Sequence, residues 1–292
     1  FLAHALNPAG VRVRVESDTS HLSILVDAVS HERTFDLCID TAIHETKALA
    51  AGETELHFSQ LPAGRKTLTV WLPPDSGAWL PGFKIDDDAT LTVASDEGPK
   101  WITYGSSITH CNRCHSPART WPAIVARQAG LDLTCLGFNG HCHLDTMVAR
   151  EIGRLEADMI SLKVGINVYG DNSLNLRTFK SAVIGFVDTI REKHPTTPLA
   201  LISPIISPDR EHTPNKVGLT LETMREEVAD AAQRLQRTNN DLSLYYFDGR
   251  TLFGEDLAAA YLPDKVHPNP DGNEYLASNF VHHILANMNN SS

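Results

Sequence analysis

No apolar run in this sequence approaches the roughly 20 residues that a membrane helix needs, so no helical span is expected. Positive charge is scarce: 25 Lys and Arg stand against 36 Asp and Glu, for a formal charge of −11. A phosphate-binding surface needs clustered Lys and Arg, so the deficit argues against nucleic acid as a partner. Cysteine is limited to Cys38, Cys111, Cys114, Cys135 and Cys142. An odd, scattered set in a chain able to bury a core does not build a disulfide framework, and it favours the cytoplasm. The first residues, F-L-A-H-A-L-N-P, lack an initiator Met and are too short and unbasic for a whole signal peptide. Secretion after removal of a leader therefore stays open.

What the sequence does contain falls into two halves. Its 292 residues allow one large domain or two ordinary ones, and 42% hydrophobic with 21% charged residues is a globular composition. Residues 1–96 show period-two alternation at 11–15, 22–26, 34–40, 55–58, 67–72 and 90–93, separated by A-G-E, P-A-G-R and P-P-D-S-G turns. Many short strands and no amphipathic helix predict an antiparallel, jelly-roll-like β-sandwich. After D-E-G-P-K (96–100), short apolar runs alternate with helical segments to the C-terminus. That alternation predicts, for residues 97–292, a parallel sheet covered on both faces, with ligands beyond the carboxyl ends of the strands.

The strand ends carry the chemistry. In order they read Gly105-Ser106-Ser107-Ile108-Thr109, Gly137-Phe138-Asn139-Gly140 and Gly165-Ile166-Asn167, followed near the C-terminus by Asp264-Lys265-Val266-His267-Pro268-Asn269. A serine hydroxyl is a weak nucleophile until a base takes its proton. His267 can be that base for Ser107, and Asp264, three residues earlier, can hold the other ring nitrogen. The N–H groups of Ser107 and Gly140 and the amide of Asn167 can face a developing oxyanion.

These blocks, G-S-S-I-T, the isolated Gly140, G-I-N and D-K-V-H-P-N, resemble in content and order those of the SGNH (GDSL-type) hydrolase superfamily, over residues 100–285. The resemblance implies a flavodoxin-like α/β/α sandwich and a serine esterase or acyltransferase working without a metal or other cofactor. It implies Ser107 as nucleophile, Gly140 and Asn167 as oxyanion partners, and Asp264 and His267 as the rest of the triad. Two acids usual in the family are replaced, by Ser106 and Val168, so different contacts must hold those loops. An added N-terminal sandwich is similar to one class of carbohydrate esterases and to an acyltransferase of polyketide biosynthesis. The expected partner is thus a small-molecule or carbohydrate acyl ester; the sequence does not fix acyl length, the alcohol or the oligomeric state. Acyl transfer by the same triad is the alternative, and an inactive glycan-binding protein the alternative of another class.

Other residues invite competing readings. H-C-N-R-C-H at 110–115 and H-C-H at 141–143 have zinc-like composition, but without the paired spacing of a structural zinc site no metal is expected. Trp121, beside Pro122 at a helix start, reads as packing. Trp71 and Trp79 suit either a sugar platform or interdomain packing. The long 207–220 connection follows a strand end, which makes Arg210 and His212 candidate substrate contacts.

Overall fold

The computed structural model describes residues 6–95 and 98–289. The expected division at 96/97 falls outside them. Eight strands form the N-terminal half: β1 Arg12–Ser17, β2 Leu22–Leu25, β3 Arg33–Ile39, β4 Ala42–Leu49, β5 Glu55–Phe58, β6 Lys66–Trp71, β7 Gly82–Ile85 and β8 Leu91–Val93. They make two antiparallel sheets, β4-β3-β6-β1-β8 and β5-β2-β7. All six expected strands are present. β4 and β7 are additions; β4 reads A-I-H-E-T-K-A-L, a charged edge strand with no continuous apolar face to betray it.

Alternation decides what each face of the larger sheet meets. Leu37, Leu68 and Val70 point inward, against Leu22, Ile24 and Leu56 of the smaller sheet, and form the sandwich core. The other face carries Arg12, Asp36, Cys38, Thr69 and Trp71 in register. It packs on the second half: Cys38 and Trp71 share one cluster with Trp101, Trp121 and Phe280. Polar bonds fix the alignment. The Ala118 N–H donates to Asp36 Oδ2 at 2.6 Å, Arg12 reaches Asp132 at 2.6 Å, and Arg127 donates to the Thr41 carbonyl at 3.0 Å.

The second half alternates strand and helix: β9 Lys100–Gly105, α1 Ser107–His110, α2 Trp121–Ala129, β10 Asp132–Gly137, α3 Thr146–Arg154, β11 Met159–Lys163, α4 Ile166–Asp171, α5 Leu176–Arg191, β12 Leu199–Ile202, α6 Leu221–Thr238, β13 Leu244–Phe247, α7 Glu255–Tyr261 and α8 Pro270–Phe280. The five strands are all parallel in the order β10-β9-β11-β12-β13. The cluster of Trp101, Trp121 and Phe280 fills one face and that of Ile160, Val183, Phe186 and Val228 the other, as a doubly covered parallel sheet requires. The chain leaves β9 for β10 on one side and returns to β11 on the other. The crevice opens at such a reversal, beyond the carboxyl end of β9.

Candidate active site

Ser106 and Ser107 leave β9 and enter α1 at once. Ser106 is fully buried, and its hydroxyl caps the helix by accepting the Ile108 N–H at 3.3 Å. The short helix is held from three sides. Trp121 Nε1 donates to the Ile108 carbonyl at 2.8 Å. The buried His110 ring sets Nδ1 2.9 Å from the Gly137 carbonyl and Nε2 2.5 Å from the Pro74 carbonyl of the sandwich half. Gly137 lets α1 come this close, since a Cβ there would fall on the His110 backbone nitrogen.

The last loop reaches back across 160 residues of sequence to place His267 Nε2 2.7 Å from Ser107 Oγ. His267 Nδ1 lies 2.8 Å from Asp264 Oδ2, while Asp264 Oδ1 accepts the backbone N–H groups of Val266 at 3.0 Å and His267 at 2.7 Å. Burial works to raise the Asp264 carboxyl, but the bonds from the His267 backbone and ring and from Val266 outweigh it and hold the group well below its usual range. An ionised Asp264 fixes the proton on Nδ1 and leaves the Nε2 lone pair for Ser107.

Asn167 opens α4. Its Oδ1 accepts the Cys142 N–H at 3.1 Å, which leaves its Nδ2 hydrogens for another acceptor. Gly140 adopts φ +77°, a conformation that favours glycine, and its carbonyl faces His143 Nε2 at 3.2 Å. His143 also meets Ser173 at 2.9 Å and Asp171 at 3.1 Å, so it braces this loop. Val168, in place of the family's usual acid, is buried in the core.

The pocket at Ser107 and His267 holds about 150 Å3 and is walled by Asn112, Arg113, Asn139 and Asn273 as well as Ile108. Beyond Ile108 lies a cavity of about 10 Å3 with mostly apolar walls, among them Ile166, Ile205 and Val266. Neither Asn112 nor Arg113 stood out in the sequence. Arg113 Nη1 donates to Asp264 Oδ2 at 2.7 Å. Arg210 and His212 do not line the pocket: Arg210 donates to Ser207 Oγ at 3.2 Å, and the exposed His212 faces Glu222 at 3.1 Å.

Among the described residues no group of three or more His, Cys, Asp or Glu gathers as a metal site. None of the five cysteines forms a disulfide. Burial, with Cys114 alongside, raises the Cys111 thiol. Trp71 and Trp121 are both buried in the shared cluster, whereas Trp79 is exposed. No helix among the described residues is long and apolar enough to cross a membrane.

A parallel α/β sheet with a serine, a histidine and an aspartate hydrogen-bonded in series at its strand ends is an architecture of acyl chemistry. The profile of the GDSL-like Lipase/Acylhydrolase family matches residues 100–285, and the chain belongs to that family. Its members act on carboxylic esters, and so does this enzyme. The salicylyl-acyltransferase SsfX3 from a tetracycline biosynthetic pathway is 35% identical, over 95% of this chain and 82% of that one, with a TM-score of 0.87. A family two carbohydrate esterase from Clostridium thermocellum, solved with cellohexaose, is 16% identical over 96% of this chain and 93% of that one, with a TM-score of 0.70. An acetyl xylan esterase, Est2A, from Butyrivibrio proteoclasticus is 15% identical over 94% and 90%, with a TM-score of 0.66. At such identities the two esterases share the fold. No curated protein matches the sequence significantly.

Proposed function

We propose that the enzyme removes a small O-acyl group from a hydroxylated alcohol of the sugar class, through an acyl-enzyme on Ser107. The observation that carries this is the hydrogen-bonded series Ser107 Oγ, His267, Asp264, at 2.7 and 2.8 Å. Ser107 Oγ attacks the ester carbonyl carbon as His267 Nε2 takes its proton. The tetrahedral oxyanion faces the Ser107 and Gly140 N–H groups and Asn167 Nδ2. Its collapse breaks the bond to the alcohol oxygen, which leaves with the proton from His267. Water, deprotonated by the same nitrogen, then attacks the acyl-enzyme and releases the carboxylic acid and Ser107.

The pocket at Ser107 and His267 supports the choice of substrate. The alcohol must leave beside His267, where Asn112, Arg113 and Asn139 offer hydrogen bonds to hydroxyl groups. That pocket is small, about 150 Å3, which suits an acetyl-sized group better than a long chain. The fold shared with carbohydrate esterases agrees with this reading.

A second reading, acyl transfer to an alcohol instead of water, rests on the 35% identity to a salicylyl-acyltransferase alone. Both are tested by turnover of p-nitrophenyl acetate, butyrate and octanoate, with and without added acceptor alcohols. Hydrolysis is expected to fall with chain length. Product partitioning to the acceptor's ester at millimolar concentrations would turn the assignment to transfer. Absence of turnover on every ester by folded protein would favour a glycan-binding role.

A further inference from the structure

Lys163 ends β11 and is only 5% exposed. Among the described residues its ammonium is paired with no carboxylate and donates to no acceptor. Nor is Nζ sealed in protein. Lys163 lines the cavity beyond Ile108, together with Ile166, Val266 and Ser207, and that cavity has room for about one water. Each of three wall residues is the chain neighbour of a group in the proposed reaction: Ile108 follows Ser107, Ile166 precedes Asn167 and Val266 precedes His267. The cavity and the catalytic pocket share the Ile108 wall.

The titratable groups around Lys163 do not neutralise it. Cys111 at the end of α1 and Cys142 in the Gly140 loop are the groups whose charge bears on it, and burial raises both thiols, Cys142 to about 12. On β9, burial also raises the Tyr104 hydroxyl, which accepts the Leu144 N–H at 3.2 Å. Beyond Val266 lie His267 and Asp264, bonded to each other. Beyond Ser207, Glu211 is held by Arg225 at 2.6 and 2.8 Å. An ammonium buried without a counter-ion is costly and acts strongly on negative charge that forms nearby.

We propose that Lys163 is an electrostatic positioning residue: from behind Ile108 its ammonium stabilises the oxyanion forming over Ser107, Gly140 and Asn167, without touching the substrate. The inference rests on the proposed reacting centre. At an effective dielectric near 20, a unit charge on the order of 10 Å from any forming oxyanion is worth on the order of tenfold in rate, the scale expected across one shared wall. The ammonium is also the part that titrates. Burial holds Lys163 down to about 8, so its charge is present below that pH and lost above it.

The test is kcat and KM of the full chain on p-nitrophenyl acetate from pH 5 to 10, read at the isosbestic wavelength of p-nitrophenol. The wild type is expected to show a descending limb in kcat near pH 8. Lys163→Met should lose about tenfold in kcat at pH 7 with KM little changed, and the limb should vanish. Lys163→Arg, charged throughout, should hold its plateau where the wild type falls. A wild-type kcat in Lys163→Met, or a descending limb that persists in it, overturns the proposal. Should Lys163→Met not fold, a wild type without the limb, or a limb unchanged in Lys163→Arg, overturns it equally. Ser107→Ala separates the two levels. If that variant stays active, the reacting centre itself is misplaced; if it is inactive while Lys163→Met is normal, only the role of Lys163 fails.

Discussion

Oδ2 of Asp264 is shared by two partners, lying 2.7 Å from Arg113 Nη1 and 2.8 Å from His267 Nδ1. A guanidinium at that oxygen draws off part of the negative charge that would otherwise steady the imidazolium. Replacing it with Arg113→Gln leaves the carboxylate to His267 alone. The acidic limb of kcat/KM is then expected to move while the plateau is kept. The effect is modest because the Arg113 side chain is half exposed. A pH profile from 4.5 to 8 reads it, and Arg113→Lys should restore part of the shift. An unmoved limb would make the pair an ornament of the surface.

The adjacent serines should separate cleanly. Ser107→Ala is expected to lower kcat by at least about a thousandfold with little change in melting temperature. Ser106→Ala removes a buried cap, so it should cost about 1 kcal/mol of stability and only part of the rate. Thermal melts and initial rates on the same preparations decide this, and near-normal turnover by Ser107→Ala would sink the assignment.

Much of this was legible in the sequence, because the signals were local. Period-two alternation marked six of the eight N-terminal strands; the blocks at 105–109, 140 and 165–167 each lay just beyond a strand, and the one at 264–267 lay in the loop between the last two of the helices named above. Arg113 was not legible: its partner lies 151 residues away, and only the folded loop from Cys111 to Cys114 brings them together. Lys163 reads in sequence as a polar exit from an apolar strand. Only the fold sets it in one cavity wall with Ile108 and Val266, which are far from it in sequence. Arg210 and His212 show the opposite failing, since loop length pointed to the pocket but Ser207 and Glu222 take their side chains.

Chelation should leave the enzyme active. The proposed reaction draws its base from His267 and its oxyanion donors from the chain, with no Lewis acid. Exhaustive dialysis against EDTA followed by assay with and without added zinc tests this. Activity lost and then restored by zinc would revive a role for Cys111, Cys114 and His141 as ligands.

The contact between the halves should be structural as well as spatial. Asp36→Ala strips the Ala118 N–H of its acceptor at a fully buried site, and about 2 kcal/mol of stability should go with it. Residues 97–292 expressed alone would expose the Trp101 and Trp121 cluster where Cys38 and Trp71 now cover it. That fragment is expected to be less stable and to lose most on bulky esters. Equal stability and equal activity on small and bulky esters would show that the sandwich is a passenger.

The His110 ring between the Gly137 and Pro74 carbonyls bears on how the enzyme can be rebuilt. One atom of the sandwich's backbone reaches into the short helix that begins at Ser107. A chimera that keeps the catalytic half and swaps in a foreign N-terminal sheet would need a carbonyl at that same point, on a loop of matching reach. Most donor sheets will not supply one, and even well-folded hybrids will then present the serine on a loosened mount. Recombination of this protein should therefore keep Pro74 and its loop with the second half, with the crossover upstream of β6, even though the change in pattern along the chain suggests a seam near residue 97.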